Sequence, residues 1–529
     1  MGPGERSFRD MKDRAVGIFP LGDPARAIAP WIVGGAVAME RFDSVILGGD
    51  VVDGTGAPRR RADIGIAGDR IAAIGDLAHA VAGARIDAAG RCVAPGFIDA
   101  HTHDDNIVFG TPDMAMKVSQ GVTTVIAGNC GVSLAPLTLA GPPPPPLDLL
   151  GDRGDYRFAR FADYMAAIEA APPATNIAAM VGHATLRAGA MDRFDRPATP
   201  AEIAIMRRRL DEGLEAGAIG FSTGLFYPPA RHAPTAEVIE LAEVAAAHGT
   251  LYATHMRDEG DHVLDAIRES MRIGAEAGLP VILSHHKVAG VANHGRSIET
   301  LALIDDAMRR QRLGFDVYPY VAASTVLSAE RVQAASRTLV TWSKPQPGMS
   351  GRDLADIARE WGVTAEEAVC RLLPAGAVYF MMDEADVQRI LRHPEAMIGS
   401  DGLPHDTHPH PRLWGSFPRV LGHYSRDLAL FPLEEAVRRM TGLTAARFGL
   451  RDRGVLRVGA FADATVFDPA AVVDRASFET PKRPAAGIET VVVNGTCVWR
   501  GGAPTGARPG RALRRGDLDP PMKDWRAAA

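Results

Sequence analysis

From residue 95 to about residue 449 the chain alternates short apolar runs with longer amphipathic stretches, and few folds accommodate that alternation. Eight runs have strand character: GFIDAHTH, TTVIAGNC, NIAAMVGHAT, AIGFSTGL, LYATHM, PVILSHH, GFDVYPY and AMIGSDG. Helical patterns separate them at residues 199–216, 235–247, 263–277 and 297–311, and a last one follows at 433–446. Thr199-Pro200-Ala201-Glu202 sets a capping residue ahead of a proline at the first helical position. Apolar strands alternating with helices form parallel sheet covered on both faces. Eight such units predict an α/β protein built on a (β/α)8 TIM barrel. Two connections are overlong: the proline-rich stretch around GPPPPPLDLLGD, and residues 321–394 after the seventh strand. The second contains helical stretches and reads as an insertion subdomain over the mouth of the barrel.

The flanks read differently. DSVILGGDVVDG, ADIGIAGDRIAAIG and ARIDAAGRCVAPG alternate in short runs broken by Gly-Asp and Asp-Gly turns, as hairpins do. After the last helical pattern, GAFADATVFDP and GIETVVVNGTCVWRGG return to the same style. The expectation is a small β-sandwich made from both chain ends, residues 39–94 and 450–515, with the barrel of residues 95–449 inserted and a tail at 516–529. Residues 27–38, AIAPWIVGGAVA, resemble a weak signal-peptide core. The long preceding segment carries Glu5, Asp10 and Asp13, so residues 1–38 are expected to be a disordered extension, with export the lesser reading.

A formal net charge of −6 over 529 residues gives no electrostatic reason to expect a nucleic-acid partner. No stretch reaches the roughly 18 apolar residues of a membrane span. Cys92, Cys130, Cys370 and Cys497 are too scattered for a disulfide framework. A reduced, cytoplasmic setting follows, in which any special cysteine serves a metal or catalysis.

Metal-capable side chains sit at the ends of the strand runs: His101 and His103, Cys130, His255 and His285, with Asp401 at the end of the last. Groups at the C-terminal ends of barrel strands share one rim. His101 and His103 are two apart, so both point the same way and suit a divalent metal. Cys130 favours a borderline-soft ion such as zinc; a buried small apolar residue is its lesser reading. There is no lysine between Lys117 and Lys287, so a carboxylated-lysine bridge from the middle strands is excluded and Cys130 is the substitute. Asp401 would stand beside an activated water as acid/base; a turn cap in SDG is its plainer use. His405, His408 and His410 lie in a loop and read as solvated or structural.

Together, PGFIDAHTHDD, GNCGVSLAP, GLFYPP, ATHMRDEG, SHHK, DVYPY and GSDGLPHDTHPHPRLWGSFPRVLG resemble the amidohydrolase superfamily, and within it the D-aminoacylases. The resemblance runs from about Phe42 to ARPGRALRR. It implies that Cys130, His255 and His285 hold a tight zinc and that His101 and His103 contact a weaker second divalent position. It also implies that Lys287, Tyr318, Ser324 and Arg412 bind the substrate carboxylate and that Tyr227 assists at the scissile carbonyl. Lys plus Arg at strand ends suits a small anionic substrate. Arg187 is a candidate for the substrate side chain or an exposed cation. The expected reaction is zinc-dependent hydrolysis of the linear amide of an N-acyl-D-amino acid. Its rivals are a dipeptidase for D-residue-containing dipeptides, a cyclic-amide hydrolase, and a scaffold that has lost its chemistry.

Overall fold

The computed structural model describes residues 41–517; the expectations for residues 1–38 and for most of the 516–529 tail lie outside them. The two chain ends meet in one nine-stranded sheet. Its seam is the antiparallel pairing of Cys92–Pro95 with Ala464–Phe467, so neither end could complete the sheet without the other. Ile46, Ile64, Ile66 and Ile71 from the front pack with Val466 and Val492 from the back.

Eight strands of the central region carry the site: β1 (Phe97–Asp99), β2 (Val122–Ala127), β3 (Asn176–Ala179, continued by Val181–Gly182), β4 (Gly220–Gly224), β5 (Leu251–His255), β6 (Val281–Leu283), β7 (Leu313–Val317) and β8 (Ala396–Ile398). Each coincides with one of the strand runs read from the sequence. Neighbours in this order pair in parallel. The last strand returns to the first: the Ala100 N–H donates to the Ile398 carbonyl at 3.2 Å, and Thr102 and Gly402 form a parallel bridge.

Side chains alternate between two cores, as the period of two requires. Ile98, Ile126, Ala178, Ala253, Ile282 and Met397 face inward and pack with Leu443, Phe448 and Leu450. Their neighbours Phe97, Val125, Ile177, Tyr252, Val281 and Ile398 face the helices. Both faces of the strands are dry, which explains why these runs read as continuously apolar.

The helices Pro200–Glu215, Thr235–Ala247, Val263–Ala277 and Ser297–Met308 lie where periodicity places them, and Thr199 and Glu202 form the capping box. The last helical pattern differs from expectation, because it is two helices, Leu433–Met440 and Gly442–Phe448, broken at Thr441. A Cβ at Gly442 would sit 2.2 Å from the Gly54 carbonyl oxygen. The loop that follows the first strand of the terminal sheet therefore lies against the start of the second helix with no room for a side chain, a contact that periodicity does not report. Residues 321–394 contain a three-stranded antiparallel sheet, Ala322–Val326, Arg337–Ser343 and Ala375–Phe380, with helices Leu354–Trp361, Ala365–Leu372 and Glu384–Arg392. Among the described residues no helix is long and apolar enough to cross a membrane.

Candidate active site

His101, Cys130, His255, His285 and Asp401 come from β1, β2, β5, β6 and β8 and converge at one end of the strands. Cys130 Sγ lies 3.2 Å from His101 Nε2 and 3.3 Å from His285 Nε2. Asp401 Oδ1 is 3.3 Å from His103 Nε2 and 3.6 Å from His101 Nε2. One atom each of His101, Cys130, His285 and Asp401 falls within 4.8 Å of the others, as do those of His255, Glu259 and His285.

Three of these residues hold a backbone conformation that non-glycine residues avoid: Cys130, His285 and Asp401 have φ of 54°, 37° and 47°. Such strain persists only where the surroundings over-determine it, and here each turn is bound in place. Next to Cys130, Gly131 N–H donates to Ser222 Oγ at 3.1 Å, and Gly131 O accepts from Ala184 N–H at 2.8 Å. His285 N–H donates to Asp316 Oδ1 at 2.9 Å. Asp401 N–H donates to His101 O at 2.8 Å.

Burial alone would push the Cys130 thiol up, but the imidazoles of His101, His285 and His103 outweigh it and hold the thiol well below its usual range. Burial likewise opposes ionisation of Asp401, and the Arg412 guanidinium with His285, His103 and His101 overcomes it, keeping the carboxylate charged. Arg412 Nη2 is 2.9 Å from Asp401 Oδ2. Burial disfavours the charged form of His103, yet Asp401 and Cys130 raise its pKa to about 9.

Two acidic residues that the sequence reading did not single out complete this shell. Glu259 Oε1 lies 3.0 Å from His285 Nδ1 and 2.5 Å from Lys287 Nζ, and its Oε2 lies 3.5 Å from His255 Nε2. Asp316 Oδ2 is 3.5 Å from His101 Nδ1. Both left a signal: Glu259 stands four residues after His255 within ATHMRDEG, and Asp316 is a charge inside an otherwise apolar strand.

Tyr318 and Ser324 are buried, and the Tyr318 hydroxyl and Ser324 Oγ have no hydrogen-bond partner; neither do Arg412 Nε and Nη1. The Arg412 guanidinium lies 4.5 Å above the Tyr318 ring and donates to the Ser324 carbonyl at 3.1 Å. Lys287 is held by Glu259 and by His285 Nδ1 at 2.7 Å. Tyr227 packs on His255 at 4.9 Å and shares a 2.9 Å hydrogen bond with Thr325 Oγ1. Arg187 is neither exposed nor turned to this cluster. It is fully buried, ion-paired with Glu237, and donates to the Arg196 carbonyl at 2.8 Å. His408 and His410 bond to the carbonyls of Phe478 and Ala322, at 2.7 Å and 3.0 Å, while His405 is exposed.

The donor set suits a thiophilic divalent ion. His255 Nδ1 and His103 Nδ1 have no hydrogen-bond partner, and His255 Nε2 and His101 Nδ1 have only a carboxylate at 3.5 Å. Imidazoles and a thiolate so gathered are ligands that zinc favours.

The chain is similar to known proteins over most of its length. The amidohydrolase family pattern matches residues 84–360 and 346–499. The D-aminoacylase of Alcaligenes xylosoxydans xylosoxydans is 60% identical over 474 residues, covering 90% of this chain and 98% of that protein. A D-aminoacylase crystal structure, described as defining a novel subset of amidohydrolases, superposes with a TM-score of 0.88 at 60% identity, covering 90% of this chain and all of the other. An N-acyl-D-glutamate deacylase of Bordetella bronchiseptica, crystallised with zinc and a phosphonate mimic of the tetrahedral intermediate, matches with a TM-score of 0.87 at 49% identity, over 90% of this chain and 100% of that one. With a strand-end thiolate where lysine is absent and near-complete coverage by these relatives, the chain belongs to the D-aminoacylase branch of the amidohydrolase family.

Proposed function

We propose that this protein hydrolyses the linear amide of N-acyl-D-amino acids, giving a carboxylate and the free D-amino acid. The observation that carries the reading is the group of buried donors without partners beside the cluster: Arg412 Nε and Nη1, the Tyr318 hydroxyl and Ser324 Oγ. Each such group costs about 1–3 kcal/mol while unsatisfied, so a site that gathers them is built to receive an acceptor. The substrate α-carboxylate supplies two acceptor oxygens for the Arg412 nitrogens that Asp401 and the Ser324 carbonyl leave free.

The parallel pairings that run from β1 to β8 and back to β1 support a closed (β/α)8 barrel over residues 95–449. The shared nine-stranded sheet supports a sandwich-like domain formed by both chain ends, and residues 321–394 supply Ser324 as a cover over the strand ends. Cys130, His255 and His285 would hold a tight zinc, and His101 and His103 a weaker second position. When bound, the metal supplies Lewis-acid polarisation of the amide carbonyl and activation of water at neutral pH.

The protein's own residues do the remainder. Arg412, Tyr318 and Ser324 fix the carboxylate and so the stereocentre beside it, while Lys287 adds positive charge and is held by Glu259. Tyr227, packed on His255, would assist at the scissile carbonyl. Asp401, kept ionised by Arg412, takes the proton of the attacking water and returns it to the leaving nitrogen.

The test is release of free amino acid from matched N-acetyl-D- and N-acetyl-L-amino acids by zinc-assayed protein. Turnover confined to the D series, lost on chelation and restored by zinc, is expected. Equal turnover of both series, or none with zinc bound, would refute the assignment.

A further inference from the structure

Lys117 is fully buried, with no solvent exposure, and lies outside the ring of site residues. It belongs to the short helix Ala115–Val118 that precedes β2. A lysine is almost never buried so completely unless it is paired, and this one has three partners. Its Nζ lies 2.8 Å from Asp99 Oδ2, 2.9 Å from Ser400 Oγ and 3.3 Å from Asp104 Oδ2. Asp99 stands two residues before His101, Asp104 directly follows His103, and Ser400 directly precedes Asp401. One ammonium thus joins the arm of the first strand to the arm of the last.

The bonds beyond two of these partners, Asp99 and Ser400, bracket Asp401. Asp99 Oδ1 accepts from Ser400 N–H at 2.7 Å and from His101 N–H at 3.3 Å. Ser400 Oγ accepts from Gly402 N–H at 3.2 Å. The N–H groups on either side of Asp401 therefore end on the two groups that Lys117 holds. Asp401's own N–H ends on His101 O. The residue so bracketed has a left-handed backbone, φ 47°, which must be enforced from outside.

We propose that Lys117 is the positioning residue for Asp401. Its ammonium, through Asp99 and Ser400, holds the strained turn that aims the carboxylate at the reacting centre. The inference rests on the reading of Asp401 as the proton carrier. Lys117 never meets substrate; it acts through geometry.

The experiment is a double-mutant cycle on the zinc-loaded, full-length enzyme. Lys117→Met is expected to lower kcat by about 10–100-fold, the cost of a misaimed catalytic group, with KM and zinc content near those of the parent. In the Asp401→Asn background the same change should cost less than about threefold, because residues acting as a unit are not additive. An equal factor in both backgrounds, or an unchanged kcat in the parent, would overturn the inference. Ser400→Ala removes one arm without stranding a charge, and serves if Lys117→Met does not fold. It should lower kcat only while Asp401 is present, and a loss independent of Asp401 counts against the proposal. Full turnover in Asp401→Asn alone would instead remove the reading of Asp401 on which this inference stands.

Discussion

Asp406 lies midway between Asp401 and Arg412 on the loop that joins them, and it is only 3% exposed. Its Oδ2 has no hydrogen-bond partner. Burial drives its carboxyl up to about 7, against weaker opposing pulls from Thr341, Arg412, Lys482 and Trp342. An unfolded aspartate titrates near ~3.9, so the folded state binds the proton more tightly. The sign follows from linkage: stability is full below pH ~3.9, falls as pH rises because the unfolded state ionises first, and levels off above about 7.

Three pH units at about 1.4 kcal/mol each amount to about 4 kcal/mol lost by pH 8. Asp406→Asn keeps the shape of the neutral acid and cannot ionise. Relative to the parent, the variant should gain less than about 1 kcal/mol at pH 4 and about 4 kcal/mol at pH 8, on top of a pH-independent offset. Thermal midpoints of both proteins across this range measure the difference directly, and the other titrating groups cancel. A difference that does not change between pH 4 and pH 8 would falsify the argument.

Further outcomes follow from the site's geometry. Glu259→Gln should lower zinc affinity by about 10–100-fold, as loss of a carboxylate behind a ligating imidazole does; competition with a chelator reads this, and unchanged affinity counts against a role for Glu259. Tyr318→Phe removes a hydroxyl that has no partner in the protein, so KM should rise about 5–10-fold while the melting temperature holds. A lower melting temperature with an unchanged KM would mean that the hydroxyl serves the fold. Arg187→Met leaves the buried Glu237 only His183 Nε2 and the Ala198 N–H, and should cost about 3 kcal/mol in stability with substrate preference intact. An altered side-chain preference at unchanged stability would return Arg187 to the substrate pocket.

Much of this was legible in the residue order. β1 to β8 were readable because a strand dry on both faces must be continuously apolar, and the helices because one stripe must be apolar at a period near 3.6. His101, His103, Cys130, His255, His285 and Asp401 were readable because each follows such a run, and parallel strands deliver their ends to one rim. The net charge gave no reason to expect a nucleic-acid partner, and the cysteine spacing none to expect a disulfide framework. These properties are local, and a linear sequence carries them in full.

Tertiary structure decided the rest. Which carboxylate backs which imidazole depends on distances between separate strands, so Glu259 behind His285 and Asp316 behind His101 emerged only once the strands were side by side. Arg187 follows the strand run NIAAMVGHAT in the sequence, yet it lies in the helix His183–Ala190 and pairs with Glu237, 50 residues further along the chain. The Gly54 carbonyl closes on Gly442 beside the break at Thr441, and the left-handed turns at Cys130, His285 and Asp401 are held by hydrogen bonds from other elements. Residue order fixes where a side chain leaves the backbone; only packing fixes what meets it, because the partners of a buried polar group are chosen by proximity in space.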